Sequence, residues 1–192
     1  MIKIIGPRDK KNVNAINTTS SSPTWSRQLS PFLLGPVKLY AEIESKNMEN
    51  AWQYSKVYPV HVNTQENLTD EYWEWALKGW MKDHADRYPM GKNQKPLYSI
   101  WDNKKLDYIE ARKEIYLPLY RDAVKQTPAF NKLKEIYNQN KTVTLFDFDG
   151  YDYLSLGKSL KDVLNDSNRK MGHAFVLAMM LTFGENFTIS QL

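Results

Sequence analysis

The chain has 192 residues, a formal net charge of +4 at neutral pH, 42% hydrophobic residues and 25% charged residues. This composition is typical of a globular protein, and the length suits one domain with a substantial core. The lack of cysteine in the sequence excludes disulfides, thiolate metal sites and a cysteine nucleophile. The longest apolar run, 174–181, is far below the roughly 20 residues that span a bilayer, and residues 1–7 lack a signal peptide's apolar region. We therefore expect a cytoplasmic protein without a membrane partner.

Short β-like runs predict a small strand content. We expect strands at 2–5, 13–16 and 141–148, and a strand or turn at 97–101. Helical periodicity covers more of the chain. We expect helices from Glu49 to near Tyr58-Pro59, from Thr69 to about His84, at 106–124 with a kink or end at Pro118, from Pro128 onwards, at 160–164, and from Ser167 or Asn168 to Phe183. No repeat or domain boundary is evident. The predicted fold class is α+β, predominantly α-helical, with a few short strands in a single domain, 1–192.

Two of these helices carry informative apolar patterns. In the helix from Thr69, the expected buried face consists of Trp73, Leu77, Trp80 and Met81. The glycine at position 79 would permit close packing against that helix. The last helix is apolar nearly all the way round, which predicts a central buried helix that ends at Gly184.

Residues 49–56 place four chemically different side chains at helical spacing, behind a suitable N-cap, Asn47. The four are Glu49, Trp52, Gln53 and Lys56, at positions i, i+3, i+4 and i+7, which form one stripe of a helix. Such a stripe can present an acid or base, a stacking surface, a carboxamide and an amine to one cleft. From the spacing alone, an ordinary amphipathic helix with its tryptophan in the core is the simpler explanation.

The pattern Glu-x-x-aromatic-Gln-x-x-Lys resembles the signature helix of the NADAR family, the YbiA-like N-glycosidases. In that family the helix follows a Ser-x-Phe segment and an extended stretch, and Ser30-Pro31-Phe32 and residues 35–40 occupy those places here. The resemblance is most specific from Ser30 to Tyr58. It implies a NADAR-like domain that cleaves N-glycosidic bonds in ADP-ribose-like or phosphoribosyl compounds, without a metal or another cofactor.

If the stripe lines a pocket, its residues suit this chemistry. Lys56 beside Trp52 would be partly desolvated, which lowers the pKa of its amine and leaves some neutral amine to form a Schiff base with ribose. Glu49 would move protons at the leaving base and at water, so Lys56 and Glu49 are the expected catalytic residues. Trp52 would stack on the base or sugar, and Gln53 would orient a hydroxyl or a base edge.

Further substrate-binding candidates come from elsewhere in the chain. Arg112 offers bidentate donors to a phosphate, although a surface salt bridge explains it equally well. Asp147 and Asp149 follow a predicted strand and can bind ribose hydroxyls or a cation, but a conformational Asp-Gly turn is also common, and the spacing does not match an EF-hand.

The NADAR resemblance adds residues at both ends of the chain. In the family, the Ser-x-Phe region lines the nucleotide pocket, which implies a binding role for Ser30 and Phe32. Asn168 and Met171-Gly172-His173 resemble the Asn and Leu-Gly block at the head of the family's last helix, one residue out of register, so Asn168 and His173 are further candidates. The family's preceding Trp-Gly pair is missing here.

The expected function is removal of ADP-ribose from guanine bases in nucleic acid, in detoxification or counter-defence. The expected partner is then ADP-ribosylated nucleic acid or an ADP-ribose-like nucleotide. The alternative is a non-catalytic protein that sequesters a nucleotide or inhibits an ADP-ribosyltransferase toxin, which the missing Trp-Gly pair favours. A plain nucleic-acid-binding domain is a third possibility, based on the positive charge and the 6 Trp, 12 Tyr and 7 Phe residues.

Overall fold

A computed structural model describes residues 1–9 and 14–192. The strands are β1 (Ile2–Ile5), β2 (Ile16–Asn17), β3 (Val37–Lys38), β4 (Glu44–Ser45), β5 (Lys56–Val57), β6 (Tyr98–Trp101), β7 (Lys104–Leu106) and β8 (Val143–Phe146). The α-helices are α1 (Met48–Gln53), α2 (Asp70–Trp80), α3 (Tyr108–Ala111), α4 (Leu117–Val124), α5 (Pro128–Asn140), α6 (Leu160–Asn165) and α7 (His173–Phe183). About 40% of the chain is helix and 13% is strand, which confirms an α+β fold with small sheets. The expected strand at 13–16 lies partly outside the described residues, since position 13 is not described.

The chain divides into two compact units, one of residues 1–33 and 120–192 and the other of residues 34–119. The first unit contains a parallel sheet with the strand order β1-β8-β2. Leu145 in β8 pairs with Ile4 on one side and with Ile16 on the other, and Leu145 and Ile4 are fully buried. The central strand therefore comes from late in the chain, and it joins two strands from its beginning.

Helix α7 is buried from His173 through Met180 and packs against β1 and α6. Its apolar character and its end at Gly184 are confirmed. It begins later than the sequence suggested, because Gly172 is its N-cap and not Ser167 or Asn168. The backbone N–H of Ala174 donates to Asp147 Oδ2 at 3.1 Å, so a carboxylate from the end of β8 satisfies a donor of the first turn. Local sequence does not reveal a cap that comes from another element.

The second unit contains the antiparallel sheet β5-β6-β7 and the hairpin β3-β4. Helix α2 has its N-cap at Thr69, as expected, but it ends at Trp80 and not near His84. Its predicted buried face was wrong for Leu77 and Met81, which are 45% and 58% exposed, whereas Trp80 is fully buried and Trp73 packs partly buried against the core. The residues of α2 that are buried are Tyr72, Ala76, Gly79 and Trp80.

The reason for this rotation of α2 is the close approach of Tyr54 to Gly79. A Cβ atom at position 79 would lie 2.0 Å from Cδ1 of the Tyr54 ring, so close packing at this glycine is confirmed. The helix face that carries Gly79 therefore points inwards, even though apolar residues also lie on other faces of α2.

The predicted helix at 106–124 is present in altered form. Leu106 ends β7, and α3 begins after Asp107, which accepts hydrogen bonds from the N–H groups of Ile109 and Glu110. A π-helical turn, Arg112–Tyr116, then leads into α4, and the N–H of Leu117 donates to the carbonyl of Arg112. Pro118 does not end the helix. Pro118 has no N–H to donate, and its ring crowds the turn before it. The π-helical turn is wider than an α-helical turn, so it leaves room for this ring.

The remaining elements follow the sequence closely. Helix α5 begins as expected at Pro128, and the Thr127 side chain accepts from the N–H of Phe130. Helix α6 extends one residue beyond the predicted 160–164, and β8 and β6 lie inside the predicted strands. In the described part of the chain, no helix combines the length and apolar character needed to cross a membrane.

Candidate active site

Helix α1 begins with a local cap. The Asn47 side chain accepts a 2.8 Å hydrogen bond from the backbone N–H of Asn50, as expected. All six residues of the helix are buried. The helix ends at Gln53, and Lys56 lies at the start of β5, so the prediction that all four stripe residues share one helix was wrong for Lys56.

The structure nevertheless joins the polar side chains of the stripe. The Lys56 ammonium donates to Gln53 Oε1 at 2.7 Å, and Gln53 Nε2 donates to Glu49 Oε1 at 2.8 Å. Glu49 and Gln53 are only 5% and 7% exposed, whereas Lys56 is half-buried. A buried carboxylate, a carboxamide and a more accessible amine thus form one hydrogen-bonded series, which we call the Lys56–Gln53–Glu49 chain.

The apolar ring of Trp52 lies beside the Lys56–Gln53–Glu49 chain. The Lys56 Nζ lies 4.6 Å from the centroid of the Trp52 ring, a cation–π distance. The Trp52 ring also packs against Tyr116 in the π-helical turn, with centroids 5.2 Å apart and a steep interplanar angle of 60°. The indole ring and the Gln53 oxygen both stabilise an ammonium. Gln53 and Trp52 therefore place two groups that suit a cation beside the Lys56 amine.

The opposite side of α1 is anchored to the segment after α2. The fully buried Asn50 side chain donates from Nδ2 to the carbonyls of Gly79 and His84, at 3.1 and 2.9 Å. Its Oδ1 accepts from the N–H of Asp86 at 2.8 Å. The Asn50 carboxamide therefore bonds backbone groups through both its nitrogen and its oxygen. These bonds fix the orientation of α1 within its unit.

Tyr54, the C-cap residue of α1, adds a second anchor. Its hydroxyl donates to Asp86 Oδ2 at 2.6 Å, and Lys82 donates to both groups. Burial raises the pKa of Tyr54, and the hydrogen bond to Asp86 raises it further. For Asp86, burial opposes ionisation, but the hydrogen bonds from Lys82 and Tyr54 prevail and lower its pKa. The phenol therefore stays neutral and the carboxyl stays charged around neutral pH.

Arg112 belongs to the same unit as the Lys56–Gln53–Glu49 chain. Its guanidinium carbon lies 4.2 Å from the centroid of the Tyr108 ring, and the residue is 1% exposed. It opens the π-helical turn whose last residue, Tyr116, packs against Trp52. A phosphate would reach the guanidinium only after neighbouring side chains moved, so the resting structure does not present Arg112 as an open clamp.

Asp147 and His173 contact each other in the first unit. His173 Nδ1 lies 3.1 Å from Asp147 Oδ2, and the two residues are 5% and 4% exposed. His173 Nε2 lies 2.9 Å from the carbonyl oxygen of Thr18, and because a carbonyl only accepts, this nitrogen carries a hydrogen. The pair ties the ends of β8 and β2 to the start of α7, which is a structural use of both side chains.

The other candidates from the sequence lie in the first unit as well. Asp149 is half-buried and donates its N–H to Asp147 Oδ1, and Lys170 lies 3.9 Å from its carboxylate. Asn168 is exposed in the loop before α7. Ser30 is buried and accepts a 3.3 Å hydrogen bond from the N–H of Phe32, which is half-buried. These contacts do not gather the six candidate residues of this unit into one cluster.

Sequence reasoning missed Asn50, Tyr54, Asp86 and Tyr116. A signal existed for three of them, since Asn50 and Tyr54 share a helix face and Lys82 precedes Asp86 by four residues. Tyr116 meets Trp52 through tertiary packing alone, and no pattern in the sequence connects them. Among residues 1–9 and 14–192, no group of three or more His, Asp or Glu side chains is arranged to hold a metal ion.

Comparison with known proteins places the chain in a family. The model of the family of unknown function DUF6939 matches residues 7–174. No curated protein and no solved structure matches the chain. The matched segment includes the whole Lys56–Gln53–Glu49 chain, and also Arg112, Asp147 and His173. Because the match covers far more than half of its length, the chain belongs to the family of unknown function DUF6939.

Proposed function

We propose that this protein is an N-glycosidase that acts on an ADP-ribose-type substrate, with ADP-ribosylated guanine in nucleic acid as its preferred form. Lys56 is the nucleophile and Glu49 the acid and base. The observation that supports this proposal is the Lys56–Gln53–Glu49 chain, with its 2.7 and 2.8 Å contacts beside the Trp52 ring. The NADAR resemblance of residues 30–58 supplies the substrate class.

The proposed reaction begins with the lysine in its charged form. The Lys56 ammonium gives a proton to the Glu49 carboxylate through one water molecule and becomes a neutral amine. The amine attacks C1′ of the ribose, so the Nζ–C1′ bond forms while the bond from C1′ to the base nitrogen breaks. The electron pair of the broken bond stays on the base, and Glu49 returns the proton there.

Hydrolysis then releases the sugar. The amine-linked ribose loses the bond between C1′ and the ring oxygen, the nitrogen forms a Schiff base, and the proton from nitrogen goes to the ring oxygen. Glu49, again a carboxylate, activates a water that adds to C1′. Breakdown of this adduct frees ADP-ribose and restores Lys56, so one water is consumed in each turnover.

The test is a mass measurement on an oligonucleotide that carries one ADP-ribosylated guanine. The wild-type protein should remove the ADP-ribosyl mass over many turnovers, whereas Lys56→Ala and Glu49→Gln should not. Lys78→Ala is the matched control, because this lysine is 77% exposed on α2 and should leave turnover unchanged. Borohydride should trap the substrate on the peptide that contains Lys56. Equal turnover by Lys56→Ala would overturn the proposal.

A second candidate function is binding without turnover, by a protein that sequesters an ADP-ribose-type nucleotide or inhibits an ADP-ribosyltransferase. The observation that favours it is the pair of contacts at Lys56 Nζ, with the Gln53 oxygen and the Trp52 ring, because both partners suit a charged ammonium that does not react. Lys56→Arg separates the two functions, because arginine keeps the positive charge but does not form a Schiff base at neutral pH. A binding protein should retain its affinity in this variant and release no product. The glycosidase should lose its turnover.

A further inference from the structure

Both polar atoms of the Gln53 carboxamide form hydrogen bonds within the protein. Its oxygen only accepts and its nitrogen only donates, so the direction of the two hydrogen bonds is determined: the oxygen faces the Lys56 ammonium and the nitrogen faces Glu49. The side chain is 7% exposed. The sequence suggested that this group contacts substrate, but in the structure its two polar atoms contact the two residues proposed to react.

We propose that Gln53 is a positioning residue that holds Lys56 and Glu49 one carboxamide apart. The assignment of these two neighbours as reacting groups rests on the proposed function, whereas the positioning contacts themselves do not. The backbone supports this role, because Gln53 ends α1 and Lys56 begins β5 only three residues later. Helix α1 is itself held by Asn50, so the carboxamide projects from a fixed base.

The neutral charge of the bridge matters for the lysine. A carboxylate at position 53 would lie within direct ion-pair distance of the ammonium and would favour the charged lysine strongly. A carboxamide orients the same ammonium without adding a negative charge. Gln53 therefore combines a fixed position for the amine with a protonation equilibrium that substrate binding can shift.

The first experiment measures Lys56 in the free protein and needs no substrate. Each variant is labelled briefly with acetic anhydride at a series of pH values, and the Lys56 peptide is quantified by mass spectrometry. Gln53→Glu should raise the apparent pKa of Lys56 and lower its labelling at pH 8 about tenfold, as expected for a pKa rise of about one unit. Gln53→Met, which removes the acceptor without adding charge, should change the labelling in the opposite direction.

Gln139→Glu is the control for charge, since it makes the same Gln-to-Glu change at an exposed position of α5 in the other unit. It should label at Lys56 like the wild type. Circular dichroism confirms that each variant is folded. If neither substitution at position 53 changes Lys56 labelling relative to this control, the positioning contact does not exist in solution and the inference fails.

The second experiment uses the ADP-ribosylated oligonucleotide. Gln53→Met should lower kcat at least tenfold and leave KM within about twofold, because positioning of the reacting groups acts in the transition state. A raised KM with an unchanged kcat would instead make Gln53 a substrate-binding residue and overturn the inference. If the wild type shows no turnover but Lys56 labelling responds as described, the glycosidase proposal fails while the positioning of Lys56 by Gln53 is supported.

Discussion

The hydroxyl of Tyr54 lies 2.6 Å from Asp86 Oδ2 and donates a hydrogen bond to it across 32 positions of the chain. Tyr54 caps the C-terminal end of α1, and the peptide chain reaches Lys56 two residues later. The contact therefore connects the candidate site to the segment that follows α2. Two features of this contact, a charged carboxylate and a tightly packed ring, lead to measurable predictions.

Asp86→Asn should destabilise the protein more at pH 7 than at pH 3. The folded-state pKa of Asp86 lies below its ordinary value of 3.8, so its ionisation stabilises the folded state above that pH. This contribution is lost as the pH falls through the folded pKa, which lies below 3.8. Urea denaturation at the two pH values measures the difference. Glu74→Gln, on the exposed surface of α2, should have a small effect at both. Equal destabilisation by Asp86→Asn at both pH values would contradict the prediction.

Asn50→Ala should lower the free energy of unfolding by about 3 kcal/mol, because two carbonyls and one N–H lose their partner in a buried place. The same substitution at Asn165, which is exposed in α6, should cost less than about 0.5 kcal/mol. Urea denaturation of both variants tests this contrast. A similar small effect at the two positions would mean that the Asn50 bonds do not anchor α1.

Gly79→Ala should destabilise the protein by about 2 kcal/mol through overpacking. Helix propensity alone predicts the opposite sign, a gain of roughly 1 kcal/mol for alanine in a helix. The steric term prevails because the new Cβ would lie 2.0 Å from the Tyr54 ring. Thermal denaturation of Gly79→Ala gives the sign. In a Tyr54→Leu background the same substitution should cost less, and an unchanged cost there would show that the ring is not the obstacle.

Asp147→Ala should reduce stability by about 3 kcal/mol, as expected when a buried oxygen acceptor is removed and its donors are left without a partner. The substitution removes the carboxylate that contacts His173 and accepts hydrogen bonds from the N–H groups of Ala174 and Asp149. Asp122→Ala is the comparison, since that carboxylate is 50% exposed and its ion pairs with Arg121 and Lys125 should contribute less than about 1 kcal/mol. A substrate-binding role for Asp147 predicts instead a folded, stable variant that loses affinity for ADP-ribose.

Local sequence was informative wherever an element carries its own start or end signal. Asn47 and Thr127 cap α1 and α5 through their own side chains, and Pro128 opens α5. Such interactions span three residues, so the chain encodes them wherever it folds. The apolar residues of α7 likewise predict burial, because no face of that helix suits water.

Predictions were wrong where a distant group decides the outcome. The Tyr54 ring determines which face of α2 turns inwards, and the Asp147 carboxylate determines where α7 begins. In both cases the energy of a single tertiary contact exceeds the fraction of a kcal/mol by which local propensities differ.

For the candidate site, the sequence by itself determined which chemical groups are available: the octamer from Glu49 to Lys56 supplies a carboxylate, an indole, a carboxamide and an amine. The tertiary structure decided how they meet. Lys56 leaves the helix and begins a strand, yet its amine returns to the Gln53 oxygen and lies over the Trp52 ring, with Tyr116 on that ring from another part of the chain. A helical repeat specifies which residues share a face. The turn after the helix, and the packing of other segments against it, specify where a flexible lysine places its charge.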